Sequence, residues 1–305
     1  MERKCLNTFK VENMFFRTDM AVERRDLYRN ANKLDDEIKG IECEEEKKDD
    51  ITITRVKITS PDGERALDRK MGNYITIDVK KVRNISTEKE EKIINTFSKE
   101  LKEIIEKHVK QTDEILIVGL GNLYATPDSL GAKVVQNIEI TRHIKIYLPN
   151  AIDKNTRSVS AITPGVLGTT GIETVEIVKG IVNNIKPKLV IAIDSLCSKN
   201  IDRINKSIQI SDTGIIPGGG VGNRQEELSE ATLNIPVIGI GVPTVLDAAT
   251  IVIDTLNVCD VSIPENEIVE KMKLNNFNFI VTPKEIDSLV ENMSNIVSEG
   301  INMSL

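Results

Sequence analysis

Residues 114–131, with the sequence EILIVGLGNLYATPDSLG, decide the fold of this chain. Residues 115–118 are apolar without a break, which predicts a short strand that is buried on both faces. Gly119, Gly121 and Asn122 follow the strand. The two glycines allow the chain to turn sharply there, or allow a bound molecule to approach the backbone closely.

Residues 126–128, Thr-Pro-Asp, are typical of a helix start. Thr126 is a capping residue, proline suits the first turn, and Asp128 would lie near the positive end of the helix dipole. The helix is expected to continue through residues 133–138. Strand, glycine turn and helix form half of an α/β unit, in which ligands bind beyond the carboxyl ends of the strands. We therefore expect Asp128 at the ligand-binding edge of a sheet.

The chain beyond residue 131 alternates short apolar runs with helical patterns, and it contains no internal repeat or low-complexity linker. The alternation predicts a single α/β domain whose mixed, mostly parallel sheet is flanked by helices. The predicted strands are 144–148, 189–193, 207–210 and 237–240, and the predicted helices are 173–185, 248–256 and 282–297.

The part of the chain before residue 114 is expected to contain a tail, a charged run, two helices and two strands, and the two strands are expected to lie on the far side of the chain from this glycine turn. Residues 1–19 have weak periodicity and are interpreted as a tail. The charged run ECEEEKKDD at 42–50 is interpreted as a solvated loop. The other predictions here are helices at 27–38 and 87–110, and two strands of an antiparallel edge at 51–58 and 74–82, with a turn at 61–63 between them.

Composition limits the classes of function that need to be considered. The 305 residues are 40% hydrophobic but only 3% aromatic, so the core must be aliphatic. A formal net charge of −7 argues against a protein that holds nucleic acid by its overall field. No apolar run has the length of a membrane span or of a signal-peptide core, which predicts a cytosolic protein. The four cysteines are widely separated, as is typical of reduced thiols.

Two aspartates, Asp128 and Asp194, each come at or just after the end of an apolar, strand-like run. If both reach one crevice, they cannot both ionise without cost, so one would hold a proton and the pair would supply an acid and a base. Such a pair could activate water against a peptide carbonyl without a metal. The alternative is two unrelated aspartates, one capping a helix and one bonded to backbone amides, and spacing alone favours this alternative.

Other chemistries find less support in the sequence. There is no GxSxG or HExxH motif, and His108 and His143 are the only histidines, which argues against a serine triad or a histidine-bound zinc. The glycine runs at 119–122 and 218–223 could cradle a phosphate with their amides. Neither run completes a nucleotide-binding pattern, so a glycine loop that lines a substrate cleft is an equally good interpretation.

Five long segments closely resemble the germination proteases of spore-forming Firmicutes, and RTDMAVE at 17–23 resembles the propeptide junction of that family. The resemblance extends from Arg17 to Asp254. The five segments are GLGNLYATPDSLG (119–131), ITPGVLGTTGIET (162–174), LVIAIDSL (189–196), SIQISDTGIIPGGGVGN (207–223) and NIPVIGIGVPTVLDAATIVIDT (234–255).

This resemblance implies an endopeptidase that degrades the small acid-soluble proteins coating spore DNA during germination. It implies a homotetrameric zymogen in the forespore and spore core that binds its protein substrates rather than nucleic acid or membrane, and that needs no cofactor or metal. The implied fold is similar to that of the hydrogenase-maturation proteases. Two aspartates are implicated in the family's catalysis, and the motifs TPDSLG and IAIDSL assign them to Asp128 and Asp194.

The resemblance also implies self-processing between Asp19 and Met20, with residues 1–19 as propeptide and 20–305 as the peptidase domain. Members of the family cut both junction and substrate after an acidic residue and before an apolar one. One pocket for a carboxylate and one for a flexible hydrophobe would then serve both reactions. Because the preceding segment is weakly patterned, we expect the junction to be extended and accessible.

Further residues are candidates for the cleft, although each also suits a cap, a turn or a brace. They are Gly119, Gly121, Asn122, Thr126, Gly165, Asp212, Gly219 and Gly220. Two other functions remain open at this point. One is a metal-assisted maturation-type peptidase in which His143 approaches one of the two aspartates. The other is a nucleotide-binding protein without proteolytic activity.

Overall fold

The computed structural model of the chain describes residues 17–80, 85–218, 225–277 and 279–305. The strands in these ranges are β1 (Ile41–Lys48), β2 (Ile51–Ile58), β3 (Gly72–Val79), β4 (Ile115–Gly119), β5 (Val159–Ile162), β6 (Leu189–Ser198), β7 (Ser207–Ser211), β8 (Val237–Asp247) and β9 (Ile280–Val281). The helices are α1 (Ala21–Asn32), α2 (Pro61–Leu67), α3 (Thr87–His108), α4 (Leu130–Gln136), α5 (Arg142–Tyr147), α6 (Leu167–Thr170), α7 (Thr174–Ile185), α8 (Glu230–Leu233), α9 (Ala248–Val258), α10 (Glu265–Leu274) and α11 (Ile286–Ser304).

All the described strands belong to one sheet, in the order β1-β2-β3-β7-β8-β6-β4-β5, with β9 paired to β8. The predicted α/β class, single domain and mixed sheet are confirmed. The strands β5, β4, β6 and β8 run parallel to one another. The other five pairings are antiparallel, so the sheet is not mostly parallel as expected. The reason is that short connections such as the one between β1 and β2 can only return the chain antiparallel.

The strand β4 is buried along its whole length, as its apolar sequence predicts. Its side chains alternate between two hydrophobic layers. Ile115 and Ile117 pack in the layer that contains residues of α3 and α11. Leu116 and Val118 pack in the opposite layer with residues of α7. Helices on both faces thus keep water away from the parallel part of the sheet.

The charged run at 42–50 is a strand rather than the expected loop. It forms most of β1, which pairs with β2 at the outer edge of the sheet. Lys57 on β2 donates a hydrogen bond to Glu42 directly opposite it. Charged residues are common on edge strands because they discourage pairing with another molecule. Charge density alone therefore did not distinguish an edge strand from a loop.

Residues 144–148 form no strand. They overlap helix α5, on which Ile146 and Tyr147 are exposed. The strand on the other side of β4 from β6 is β5, which was not predicted. An apolar run of five residues is too short for its periodicity to separate strand from helix. Pairing with β4 makes residues 159–162 a strand, and residues 144–148 have no such partner among the described strands.

The remaining differences concern boundaries and short elements. β2, α3 and α7 agree with their predicted ranges within two residues, and β3, β6, β8, α1 and α11 are shifted or longer. The expected turn at 61–63 opens the helix α2, whose first turn is capped by the Ser60 hydroxyl. α6, α8, α10 and β9 were not predicted. The described part of the chain contains no helix that is both long and apolar enough to cross a bilayer. The expected similarity to hydrogenase-maturation proteases stays a prediction.

Candidate active site

The neighbouring parallel strands β4 and β6 mark a reversal in the order of the sheet. From β4 the chain goes to β5 on one side, and it then returns to β6 on the other side. Ligands of α/β proteins bind at such switch points. The pairing of β4 with β6 ends at Gly119 and Ile193, and β6 continues to Ser198. Asp194 is the first residue of β6 beyond that pairing, so it lies inside the strand rather than after it.

The loop that follows β4 is held tightly against the end of β6. The Leu120 N–H donates a hydrogen bond of 2.8 Å to the carbonyl oxygen of Ile193. A Cβ atom on Gly131 would overlap that same Ile193 oxygen, and one on Gly121, whose φ is +91°, would overlap the carbonyl oxygen of Asp128. The approach of a bound molecule to these glycines stays a prediction. The group that comes close is the protein's own main chain, and it brings Asp128 toward β6.

Asp128 closes a single 3₁₀ turn, Thr126–Asp128, just before α4. Its Oδ2 accepts a hydrogen bond of 2.8 Å from the N–H of Asn122, and the Thr244 hydroxyl on β8 donates to the carbonyl of Pro127 at 2.7 Å. Burial raises the pKa of the Asp128 carboxyl, and the Asn122 N–H partly offsets this by stabilising the charged form. The loop after β4 and strand β8 thus fix the position of this carboxyl group.

Asp194 is more deeply buried, with 2% of its surface exposed. Its two oxygens accept hydrogen bonds from the N–H groups of Ser195, at 2.8 Å, and of Gly218, at 3.1 Å. Burial raises the pKa of Asp194 well above its ordinary value, and the negative charge of Asp128 raises it further, whereas the two N–H groups lower it. The pKa of Asp194 is thus raised more strongly than that of Asp128.

Both aspartates line one cavity of about 380 Å³ at the carboxyl end of the parallel strands. Ser195 also lines it, and its hydroxyl is buried without a hydrogen-bond partner among the described residues. A second cavity, of about 700 Å³, adjoins the first, and Leu196 and Gln225 contribute to both. The arrangement therefore offers two carboxyl groups with raised pKa values and a hydroxyl without a described partner beside two adjoining cavities.

Three of the other candidate cleft residues lie at the aspartate pair. Gly121 and Gly165 line the cavity, and Asn122 binds Asp128. Gly119 lies behind them, where a Cβ atom would overlap the Gly131 carbonyl oxygen.

Two candidates have a structural role instead. The Thr126 carbonyl accepts hydrogen bonds from the N–H and the hydroxyl of Ser129, and Thr126 does not line the cavity. Asp212 accepts from both the backbone N–H and the side-chain amide of Asn73, so it braces the start of β3. Gly219 and Gly220 lie outside the described residues.

Sequence reasoning missed several residues around the pair. Gly218 belongs to a glycine run that was noted, but its bond to Asp194 was not foreseen. Thr244 and Thr282 line the cavity, and the Thr282 hydroxyl donates to the carbonyl oxygen of Thr244. Thr244 lies within the quoted segment 234–255 but was not singled out, and Thr282 lies outside all five segments. Nothing in their local sequence distinguishes them from threonines of an ordinary strand.

The predicted junction lies beside β6, although not in the exposed form that was expected. The Asp19 N–H donates to the carbonyl oxygen of Cys197, and the Cys197 N–H donates to Asp19 Oδ2, both at 2.9 Å. Thr18 and Met20 are buried, so the accessible junction is a wrong expectation for this state of the protein. The earlier part of the predicted propeptide, residues 1–16, lies outside the described residues.

The metal-assisted peptidase would need His143 near an aspartate, and the nucleotide-binding protein would need unbonded N–H groups in a glycine run. His143 is exposed on α5 and does not line the cavity. In the described ranges, no three His, Cys, Asp or Glu side chains are grouped so as to hold a metal ion. The N–H groups of Leu120 and Asn122 are bonded to Ile193 and Asp128. The first glycine run therefore does not offer these amides to a phosphate.

Comparison with known proteins gives one consistent family. The family model described as "Germination protease" matches residues 18–271. A germination protease of Clostridium tetani is 43% identical over 313 residues, covering 96% of this chain and 96% of that protein. One from Caldanaerobacter subterraneus subsp. tengcongensis is 43% identical over 310 residues, covering 95% and 94%. One from Bacillus cytotoxicus is 38% identical over 342 residues, covering 95% and 93%.

Proposed function

This chain belongs to the germination protease family, and on that premise we propose that it is an endopeptidase that uses Asp128 and Asp194 as its catalytic pair. Its substrates would be the small acid-soluble proteins of the spore, cut next to an acidic residue. It would act in the cytoplasm of the forespore and spore core. It would be made as a homotetrameric zymogen that removes residues 1–19 itself.

The observation that carries this proposal is the position of the two carboxyl groups. Asp128 comes from the 3₁₀ turn before α4 and Asp194 from β6, both line one cavity, and each has a raised pKa. Buried carboxyl groups with different environments are the usual way in which a protein supplies an acid and a base at one pH. Two aspartates with purely structural roles would not be expected to line the same cavity.

The stronger rise in the pKa of Asp194 supports a division of roles. Asp128, charged first, takes a proton from a water molecule as the water oxygen attacks the peptide carbonyl carbon. Asp194 holds its proton at the buried side of the cavity and gives it to the leaving nitrogen when the C–N bond breaks. The Ser195 hydroxyl, which has no other described partner, can donate a hydrogen bond to the oxygen that becomes negative.

The first prediction is that Asp128→Asn and Asp194→Asn each lower the rate of proteolysis by about 100- to 10,000-fold, because an amide neither takes up nor delivers the proton. The measurement is mass spectrometry of the fragments after incubation with a purified small acid-soluble spore protein. Asp202→Asn is the matched control, since Asp202 is 86% exposed. A variant of either catalytic candidate that cleaves at the rate of the control would exclude that aspartate from the mechanism.

The same proteins test self-processing. N-terminal sequencing after mild acidification should find a chain that starts at Met20 in the wild type and in the control, but not in Asp128→Asn. The same cut in Asp128→Asn would show that another protease removes the segment. Loss of activity on treatment with a chelator would instead favour the metal-assisted peptidase.

A further inference from the structure

The larger cavity beside the catalytic pair contains the side chain of Asp19. Resting on the function proposed above, we infer that the place held by Asp19 is the subsite that selects an acidic residue before the cleaved bond. In this subsite Arg69 binds the carboxylate of the acidic residue, and Gln209 binds the peptide groups on either side of the cleaved bond. The chain's own junction occupies the subsite in this structure, and a substrate peptide enters it once residues 17–19 have left.

The surroundings of the Asp19 carboxylate are built for an anion. Asp19 Oδ2 accepts the Cys197 N–H at 2.9 Å, and Oδ1 lies 3.7 Å from the guanidinium of Arg69. Only 17% of each of the two side chains is exposed. Burial raises the pKa of Asp19, and Arg69 is the largest influence that opposes it. A neutral amide in the same place would turn an NH₂ group toward one of these two donors, so an acidic side chain is preferred.

The main chain of the junction is held by contacts that any peptide could make. The Asp19 N–H donates to the carbonyl of Cys197, and Arg69 donates to the carbonyl of Thr18 at 3.0 Å. Gln209 spans the bond between residues 19 and 20. Its Nε2 donates to the Asp19 carbonyl at 3.2 Å, and its Oε1 accepts the N–H of Ala21 at 2.8 Å. Main-chain bonds give affinity, and side-chain pockets give specificity, as in other modes of peptide recognition.

The geometry of the sheet brings this subsite next to the catalytic pair. Gln209 on β7 pairs with Gly241 on β8, and Gly241 pairs with Asp194 on β6. Residues in one such row point to the same face of the sheet, and two strand spacings amount to about 10 Å. The side chain of Leu196 fills the space over Gly241, where a Cβ atom on the glycine would overlap it. Cys197, the other anchor of the junction, follows Asp194 by three residues on β6. A peptide held by Gln209 and Cys197 therefore passes close to Asp194.

The subsite is tested with two synthetic peptides that differ in one position, Asp or Asn before the cleaved bond, and with protein that has processed itself. We expect the wild type to prefer the Asp peptide by at least about tenfold in kcat/KM, the lower limit for a lost charge-assisted hydrogen bond. Arg69→Gln should reduce this preference to less than about threefold, mainly through KM. Gln209→Leu should raise KM for both peptides and leave the preference unchanged.

Arg65→Gln is the matched control, because Arg65 is 72% exposed on α2 and does not line the cavity. It should keep the preference of the wild type. Circular dichroism of each variant shows whether it has folded. A second measurement uses the unprocessed chain, in which Asp19→Asn should speed hydrogen exchange at the Cys197 amide by at least about tenfold, because the amide loses its charged acceptor.

The outcomes separate this inference from the proposed function. Equal rates on the two peptides, an Arg69→Gln enzyme that keeps the full preference, or unchanged exchange at Cys197 would each overturn the subsite and leave the protease activity standing. Failure to cleave both peptides and a small acid-soluble spore protein would overturn the proposed function, and the subsite with it.

Discussion

At the scale of single residues, Asp194 is subject to opposing influences. The N–H groups of Ser195 and Gly218 stabilise its charged form, while burial and the charge of Asp128 destabilise it. The net effect is a raised pKa. A carboxyl group held in this way can keep a proton at a pH at which an exposed aspartate has lost it. The pair can then present one acid and one base in the same solution.

The second prediction concerns this coupling. Asp128→Asn is expected to lower the pKa of Asp194, because it removes the negative charge that opposes ionisation. The pKa should stay above the ordinary value, since burial, the larger cause, remains. ¹³C NMR titration of the Asp194 side-chain carboxyl measures the shift, with Asp202→Asn as the control that leaves it unchanged. An unchanged pKa in Asp128→Asn would mean that the two carboxyls do not interact.

The third prediction concerns stability and pH. Both carboxyls have raised pKa values in the folded protein, so between the ordinary aspartate pKa of about 3.9 and the raised values the folded state binds more protons than the unfolded chain. Their contribution to the free energy of unfolding is therefore present at low pH and is lost as pH rises through that window. Asp128→Asn removes the part of this loss of stability that the Asp128 carboxyl causes.

Urea unfolding at two pH values checks this effect. At pH 7 Asp128→Asn should be more stable than the wild type, and at pH 3, where the carboxyls are protonated in both states, the difference should shrink. The prediction is contradicted if the stability of Asp128→Asn minus that of the wild type is smaller at pH 7 than at pH 3. Gain of stability on loss of a catalytic group is a common feature of enzyme active sites.

At the scale of secondary-structure elements, a buried glutamate fastens α1 to the end of β6. Glu23 lies in the first turn of α1, and it is 4% exposed. Its carboxylate accepts hydrogen bonds from the N–H groups of Lys199 and Asn200, at 2.7 and 3.1 Å, and from the hydroxyl of Ser198. Arg203 pairs with it at 3.3 Å. The start of α1, directly after the predicted cut, is thus tied to the strand that carries Asp194.

The fourth prediction follows from this contact. Glu23→Ala leaves two backbone N–H groups without their buried acceptor and removes one of the two carboxylates that pair with Arg203, the other being Asp78, so it should lower the free energy of unfolding by about 3 kcal/mol. Urea or thermal unfolding measures the loss. Glu88→Ala is the matched control. Glu88 is 77% exposed in the first turn of α3, where its i,i+4 pair with Lys92 is worth less than about 0.5 kcal/mol. Equal losses in the two variants would show that Glu23 does not fasten α1.

At the scale of the whole molecule, large apolar side chains remain on the surface of the described chain. Tyr147, Val258 and Leu274 are 78%, 85% and 81% exposed. Exposed apolar groups of this size are more common at interfaces than on the surfaces of monomers when they form a contiguous patch. They are compatible with the proposed assembly, whose contacts would be mostly aliphatic and polar because aromatic residues are only 3% of the chain.

The fifth prediction is that the protein is a homotetramer at micromolar concentration. Static light scattering should give a mass about four times that of the 33.9 kDa chain. The mass should be unchanged in Asp128→Asn, since that side chain lines the cavity that it shares with Asp194. A stable monomer over the micromolar range would refute the assembly.

The sequence by itself determined the class of the fold and the identity of the central strands. Apolar runs such as 115–118 and 189–193 are too hydrophobic to lie anywhere except in a buried sheet, and local composition suffices for that conclusion. The glycines at 119 and 121 and the aspartates at 128 and 194 stood out for local reasons too. The family resemblance, carried by long strings, was confirmed by the match over residues 18–271.

Only the tertiary structure decided how these pieces meet. The charged strand β1 and the short strand β5 are strands because partners lie beside them, and their own sequences are ambiguous. The raised pKa of Asp194 comes first from its burial in the assembled sheet and then from the loop that brings Asp128 to the same cavity. Contacts between residues far apart in the chain, such as Asp19 with Cys197 or Gln209, leave no local pattern, because they depend on the positions of whole elements rather than on the preferences of neighbouring residues.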